Sequence, residues 1–176
     1  PMFNVAYDFN DEVMLYATYS EGFRSGGFVQ RIFPPLPFVP SFDPEFVDSY
    51  ELGAKYQRAD GDLSLNVAAF FMDYTDIQVR TETPGFVGFF EANVGDAEIA
   101  GFEFEGRWRP LSGWLLETSL AYLDAEYTAI RVDPPLVAQV SLDSEFDFVP
   151  EWSASLSLVR EFNLGENGFL VARLSG

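Results

Sequence analysis

The 176-residue sequence predicts an all-β chain, an antiparallel meander of about eight strands. Three observations predict it. Apolar side chains recur at every second position over most of the chain, which is the period of a strand. Stretches with turn chemistry punctuate these runs. The connections then alternate between short and long along the chain.

The first strand sets Phe3, Val5, Tyr7 and Phe9 against Asn4, Ala6 and Asp8, and Asn10-Asp11 forms a short turn. Val13, Leu15, Ala17 and Tyr19 share one face of the second strand, with Tyr16, Thr18, Ser20, Gly22 and Arg24 on the other. The proline-rich stretch at 31–45 is a loop, because proline cannot donate to a central ladder. The third strand places Tyr50, Leu52, Ala54 and Tyr56 opposite Glu51, Gly53, Lys55 and Gln57, and 59–62 is a tight Asp-Gly turn. The fourth strand, roughly 62–80, has Leu63, Leu65, Val67, Ala69 and Phe71 on one face. A loop follows over about 81–96. The fifth strand, about 97–109, sets Phe102, Phe104 and Trp108 against Glu103, Glu105, Arg107 and Arg109. After a turn at 110–113, Trp114, Leu116, Thr118, Leu120 and Tyr122 line one face of the sixth strand. A loop spans about 130–146. Trp152, Ala154, Leu156 and Leu158 belong to the seventh strand, and 163–168 turns the chain into an eighth. In a meander this alternation puts all short turns at one end and all long loops at the other, as in outer-membrane barrels.

Composition narrows the function. There is no cysteine and no histidine, so disulfides, thiolate chemistry and the commonest general base and zinc ligand are excluded. A formal charge of −18 argues against nucleic acid as a partner. No run of about 18 apolar residues exists for a membrane helix. From Pro1 the chain opens with no basic n-region and no apolar h-region of a signal peptide, which leaves a removed leader or an internal piece of a longer chain. Carboxylate pairs such as Glu103 with Glu105, or Asp73 with Asp76, are commonplace in so acidic a chain. No catalytic residues, metal ligands or cofactor are expected. Asp60-Gly61-Asp62 reads as a hairpin turn, since the remaining spacing of a calcium loop is missing.

A strand apolar on one side fits either a soluble sheet with a dry core or a membrane barrel with its apolar side to lipid. Periodicity does not separate them. Three features favour lipid. The apolar face from Leu63 to Phe71 has the nine residues that suit a tilted spanning strand. Aromatic pairs bracket such faces, Trp114 with Tyr122 and Tyr50 with Tyr56. The opposite face is dense in charge at Glu103, Glu105, Arg107 and Arg109. On this reading the second strand leaves the bilayer near Tyr19 and loosens into glycine and serine. In a dry-core sheet, Leu63, Leu65, Phe102, Phe104 and Leu156 would instead be buried together.

The stretch 16–28, YATYSEGFRSGGF, resembles the middle of the barrel in TonB-dependent outer-membrane receptors, closest to the branch for iron complexes. Residues 42–80 resemble the next hairpin of that family, 93–128 the one after, and 148–162 the following strand. The resemblance implies a transmembrane segment of about eight strands from a 22-stranded barrel in the cell outer membrane. It also implies a separate plug domain, the TonB partner that contacts it, and uptake of a ferric siderophore or similar scarce nutrient. The plug and the TonB-contacting segment fall outside residues 1–176. Arg24, Arg80, Phe89 and Phe90 are then candidates for an anionic aromatic ligand, though both arginines also suit neighbouring carboxylates. Glu51, Lys55, Glu103, Glu105 and Arg107 are candidates for facing the plug or one another. The acids in or near the long loops form a field that would attract cations: Asp43, Glu45, Asp48, Glu82, Glu91, Asp96, Asp133, Asp143, Glu145 and Asp147. The alternative is a complete eight-stranded barrel with a structural or adhesion role, closed by a ladder between residues near 3–9 and 168–176.

Overall fold

The computed structural model describes residues 1–29, 36–82, 89–131, 140–146 and 149–176, without the side chains at 81–82 and 89–90. Eight long strands form one antiparallel sheet in chain order. They are β1 (Met2–Asn10), β2 (Val13–Arg24), β5 (Glu45–Gln57), β6 (Leu63–Glu82), β7 (Phe89–Trp108), β8 (Trp114–Ile130), β9 (Trp152–Asn163) and β10 (Phe169–Ser175). The long connection after β2 carries a two-stranded ribbon of β3 (Gly27–Phe28) and β4 (Ser41–Phe42). The short connections lie together at one end. One of them holds a 3-10 turn at Gly165–Asn167.

Strand pairing sorts the side chains into two faces. Val5, Ala17, Leu52, Ala69, Phe102, Tyr122 and Trp152 are successive partners in one row across the sheet. Met14, Lys55, Asn66, Glu105, Ser119 and Ser155 form a row on the opposite face. No second layer covers the apolar face among the described residues. Leu52 is 66% exposed, Leu156 55% and Val67 47%. Leu63, Leu65, Phe102 and Phe104 are half-buried by their neighbours within the sheet, and none of them enters a dry core. An uncovered apolar sheet face is the arrangement that hydrocarbon solvates. Aromatic rings mark its upper margin: Tyr19 lies 5.1 Å from Tyr50, and Tyr122 lies 4.7 Å from Trp152, centroid to centroid.

The buried residues sit elsewhere. Ile77, Val94, Ala97 and Tyr127 form a small cluster at the long-loop end, and the Phe146 ring stacks on Tyr127 at 4.4 Å. Two irregularities make room for it. The β6–β7 register shifts between Tyr74 and Gln78, and the β7–β8 register shifts between Asp96 and Ala97. Asp76 adopts φ 56°, and Gly95 adopts φ 148° with Ala129 O only 1.7 Å from where a Cβ would stand. Bulges of this kind bend and twist a strand locally.

Several sequence boundaries need correction. The second strand does not loosen after Tyr19; it stays paired with β5 as far as Arg24 opposite Glu45. The third strand starts at Glu45, where the expected loop at 31–45 ends. The loop expected at 81–96 is largely ladder, since β7 begins at Phe89 opposite Glu82. The physical reason is the irregularity in β7: the shifts between Asn93 and Ala97 break its alternation, and pairing continues on both sides of them. The sixth strand runs to Ile130, in line with the loop expected from about 130. The closing ladder of a complete small barrel does not form, because β1 and β10 remain the two edges of an open sheet.

The two faces differ in what they tolerate. With the sheet assembled in its barrel, Val67→Lys on the uncovered face is expected to cost about 2–4 kcal/mol near the membrane midplane. Asn66→Lys, one residue away on the polar face beside Glu105, is expected to cost little. Urea unfolding from vesicles of each variant measures the difference; equal losses would remove the assignment of faces.

Candidate ligand-facing site

The polar face carries the charged candidates. Lys55 Nζ sits 5.6 Å from the centre of the Tyr16 ring. Asn66 donates to Glu105 at 3.3 Å, and Arg107 Nε lies 3.8 Å from Glu117 Oε1. Glu51 and Glu103 share this face, opposite Thr18 and Ala68 respectively. Short side chains at Ser119, Ser155 and Ser157 leave an open hollow of about 460 Å³ between Arg107 and Arg173. The wall is therefore polar and largely exposed, and it suits water or a second polar surface.

At the long-loop end, two amide side chains fasten the connection after β2 onto the sheet. Gln78 is buried, and its Nε2 donates to Asp43 O at 2.9 Å and, at longer range, to Arg24 O and Ser25 O. Its backbone N–H donates to Glu45 Oε2 at 2.7 Å. Asn93, the register partner of Gln78, accepts from Asp43 N at 2.7 Å. Its Nδ2 donates to Asp43 O at 3.0 Å and Asp76 O at 2.7 Å. Asp96 accepts from Asp76 N at 3.1 Å. Arg131 closes the cluster by pairing with Asp76 at 2.9 Å and with Asp96.

Arg24 forms an ion pair with Glu91, Nη2 to Oε1 2.8 Å, and Arg80 is the register partner of the same Glu91. The structure thus gathers Arg24, Arg80 and Glu91 at one place. An ion pair this exposed is worth about 0–1 kcal/mol. Phe89 and Phe90 open β7 opposite Glu82 and Thr81, with side chains outside the described residues. Asp133, Asp147 and the Glu82 side chain also lie outside them.

The acid field expected around the loops is partly committed to structure. Glu45, Glu91 and Asp96 accept hydrogen bonds from protein donors, and Asp48 accepts one from the Tyr19 hydroxyl at 2.8 Å. Asp143 and Glu145 are exposed. In the short turn, hydrogen bonds from the Arg58 guanidinium hold the Asp60 carboxyl below its usual range. Among the described residues, no cluster of carboxylates is arranged to hold a metal ion.

Sequence reading missed Gln78, Asn93 and Arg131, and took Asp76 only as one of many commonplace carboxylates. The available signal was weak: an amide between Ile77 and Val79 and another between Ala92 and Val94, in otherwise apolar runs. Asn93→Ala would leave polar backbone groups at Asp43 and Asp76 without this partner. It is expected to cost about 1–3 kcal/mol and to raise protease cleavage within 25–44 at least tenfold. Cleavage at the wild-type rate, measured by limited proteolysis and mass spectrometry, would contradict the role given to Asn93.

Comparison with known proteins agrees with this geometry. Residues 1–174 match the family model for the TonB dependent receptor-like β-barrel. The chain is 30% identical over 165 residues to the metal-pseudopaline receptor CntO of Pseudomonas aeruginosa, covering 94% of this chain and 21% of that protein. It is 28% identical over 129 residues to the ferric-pyoverdine 358 receptor of Pseudomonas putida, covering 72% of this chain and 15% of that protein. The chain therefore spans about a fifth or less of the length of these relatives. The crystal structure of the ferric yersiniabactin uptake receptor FyuA from Yersinia pestis superposes with a TM-score of 0.75 at 24% identity, over 99% of this chain and 24% of that one. The family is one of receptors and transporters, and its barrels lie in the outer membrane. The chain belongs to the TonB-dependent receptor family, as part of its transmembrane β-barrel.

Proposed function

We propose that this chain is a wall segment of a receptor that imports a metal complex, such as a ferric siderophore, across the outer membrane. The family match over residues 1–174 carries the reading. The relatives named for metal-pseudopaline and ferric-pyoverdine support the class of ligand. In this reading the polar face with Glu51, Lys55, Glu103, Glu105 and Arg107 meets the plug domain of the same receptor. The plug in turn engages TonB. The long loops face outward, and Arg24, Arg80, Phe89 and Phe90 contribute to ligand capture.

The chemistry favours an anionic ligand with planar groups. Guanidinium forks form charge-assisted bonds to anionic oxygens, and aromatic rings stack on flat chelating groups. Arg24 pairs with Glu91, so an incoming anion would take the place of that carboxylate.

Two substitutions in the whole receptor test this. Arg24→Ala is expected to weaken binding of an anionic ferric siderophore about tenfold, the worth of one charged hydrogen bond. Glu91→Gln is expected to strengthen it several-fold, by releasing Arg24. Equilibrium binding of iron-loaded siderophore to outer membranes measures both, and TonB-dependent uptake is read in parallel. If neither substitution changes binding while uptake stays TonB-dependent, Arg24 has no role in capture and the transport reading stands. Uptake that persists without TonB would remove the transport reading itself.

A further inference from the structure

Charges on the lipid-facing side of the sheet are sorted by sign. Strand alternation, followed through the pairing, places Glu21, Asp48, Asp73, Glu98, Asp124 and Glu126 on that face, all toward the long-loop end. Among the described residues within the strands, the one basic residue that alternation puts on the same face is Arg160 of β9, at the short-turn end opposite Trp114. Between Trp114 and Tyr122, β8 presents nine residues, the length of a tilted spanning strand. Arg160 therefore stands at the periplasmic margin of the hydrocarbon.

Its surroundings hold the guanidinium in a defined place. The Arg160 Cζ lies 4.9 Å from the centre of the Trp114 ring and 5.1 Å from that of Phe162. Nη1 donates to Ser112 O at 2.8 Å. The turn approaches so closely that a Cβ on Gly113, at φ 75°, would stand 2.8 Å from Nη1 and 2.6 Å from Glu161 O. Arg160 takes no part in the ion pairs formed among the described residues. A guanidinium has five N–H donors, and one is used here. The rest belong to a permanent cation at the level where a bilayer presents phosphodiesters.

We propose that Arg160, Trp114 and Phe162 form a headgroup site for a phospholipid of the periplasmic leaflet. The guanidinium donates to the phosphodiester oxygens, and the two rings lie along the glycerol and upper acyl region. Charge complementarity and continuity with the lipid-facing sheet select this occupant. A planar fork suits phosphate better than an ammonium does.

The test uses the whole receptor, purified from outer membranes in mild detergent. Short-chain phosphatidylglycerol is titrated, and bound lipid is counted by native mass spectrometry. Arg160→Ala is expected to lower the affinity of one lipid about tenfold, as for one lost charge-assisted contact. Arg160→Lys, which keeps charge and stem, is expected to lower it about threefold, and Trp114→Leu by a similar factor. Diacylglycerol, which has no phosphate, should bind the wild type and the Arg160 variants alike. Unchanged lipid affinity in Arg160→Lys and Trp114→Leu would overturn the proposal even if Arg160→Ala fails to assemble. So would displacement of the lipid by an equal concentration of inorganic phosphate, which would mark a site for soluble anions.

Discussion

The backbone ladder is the constraint on which the rest of this structure depends. Where hydrocarbon replaces water, an unpaired N–H or C=O costs several kcal/mol, so a spanning sheet has no freedom to break its pairing. The register obeys this. From Leu63 to Tyr74, β6 pairs with β7 without a shift, and every register shift in β6, β7 and β8 falls beyond that span. The same constraint bears on β1 and β10, the two edges of the sheet. In a bilayer they require neighbours, and the family's larger barrel supplies them.

Beyond the apolar span the rules change. Water is available, but the sheet loses the hydrocarbon that solvated its apolar side chains. The chain responds by building a core of its own. Ile77, Val94, Ala97 and Tyr127 bury against one another, with Phe146 folded over Tyr127 from the connection that follows β8. Fully burying a large apolar side chain contributes about 1.5–3 kcal/mol. The shifts at 74–78 and 96–97 aim these residues inward, which strict alternation would not do. Gln78 and Asn93 then supply donors and acceptors that the bent backbone and the connection after β2 can no longer give each other.

This division also decides what was legible in the sequence. Inside the bilayer a side chain's environment depends only on its parity, so Leu52, Val67, Glu105 and Ser155 could be placed on their faces by counting. The turn at 59–62 announced itself through Asp-Gly chemistry. Outside the bilayer, environment depends on contacts between distant segments. Asn93 meets Asp43 across 50 residues, and Arg131 meets Asp76 across 55. No local pattern encodes such pairs. The boundary at 81–96 was misplaced for the same reason: the register shifts between Asn93 and Ala97 resemble the start of a strand when only periodicity is read. Arg24 and Arg80 were chosen as cations near a loop, whereas their relation through Glu91 required the register.

The acidity of the chain has a related logic. Ten basic residues face 28 acidic ones, so each cation is scarce and its placement is informative. Arg58 is tied to Asp60 in a short turn, Arg131 joins Asp76 and Asp96 at a bulge, and Arg107 lies near Glu117 on the inner wall. These three hold irregular or polar structure in place. Arg24 differs because its carboxylate partner is a side chain at the long-loop end with no other bond among those described, and an exchange there leaves the Gln78 and Asn93 anchors intact. Arg160 differs again, since its neighbours are two aromatic rings and a carbonyl. In the readings proposed above, Arg24 exchanges its carboxylate for an anion that arrives in water and Arg160 meets one that arrives in the membrane, so the side of the sheet a cation occupies decides which anion it takes.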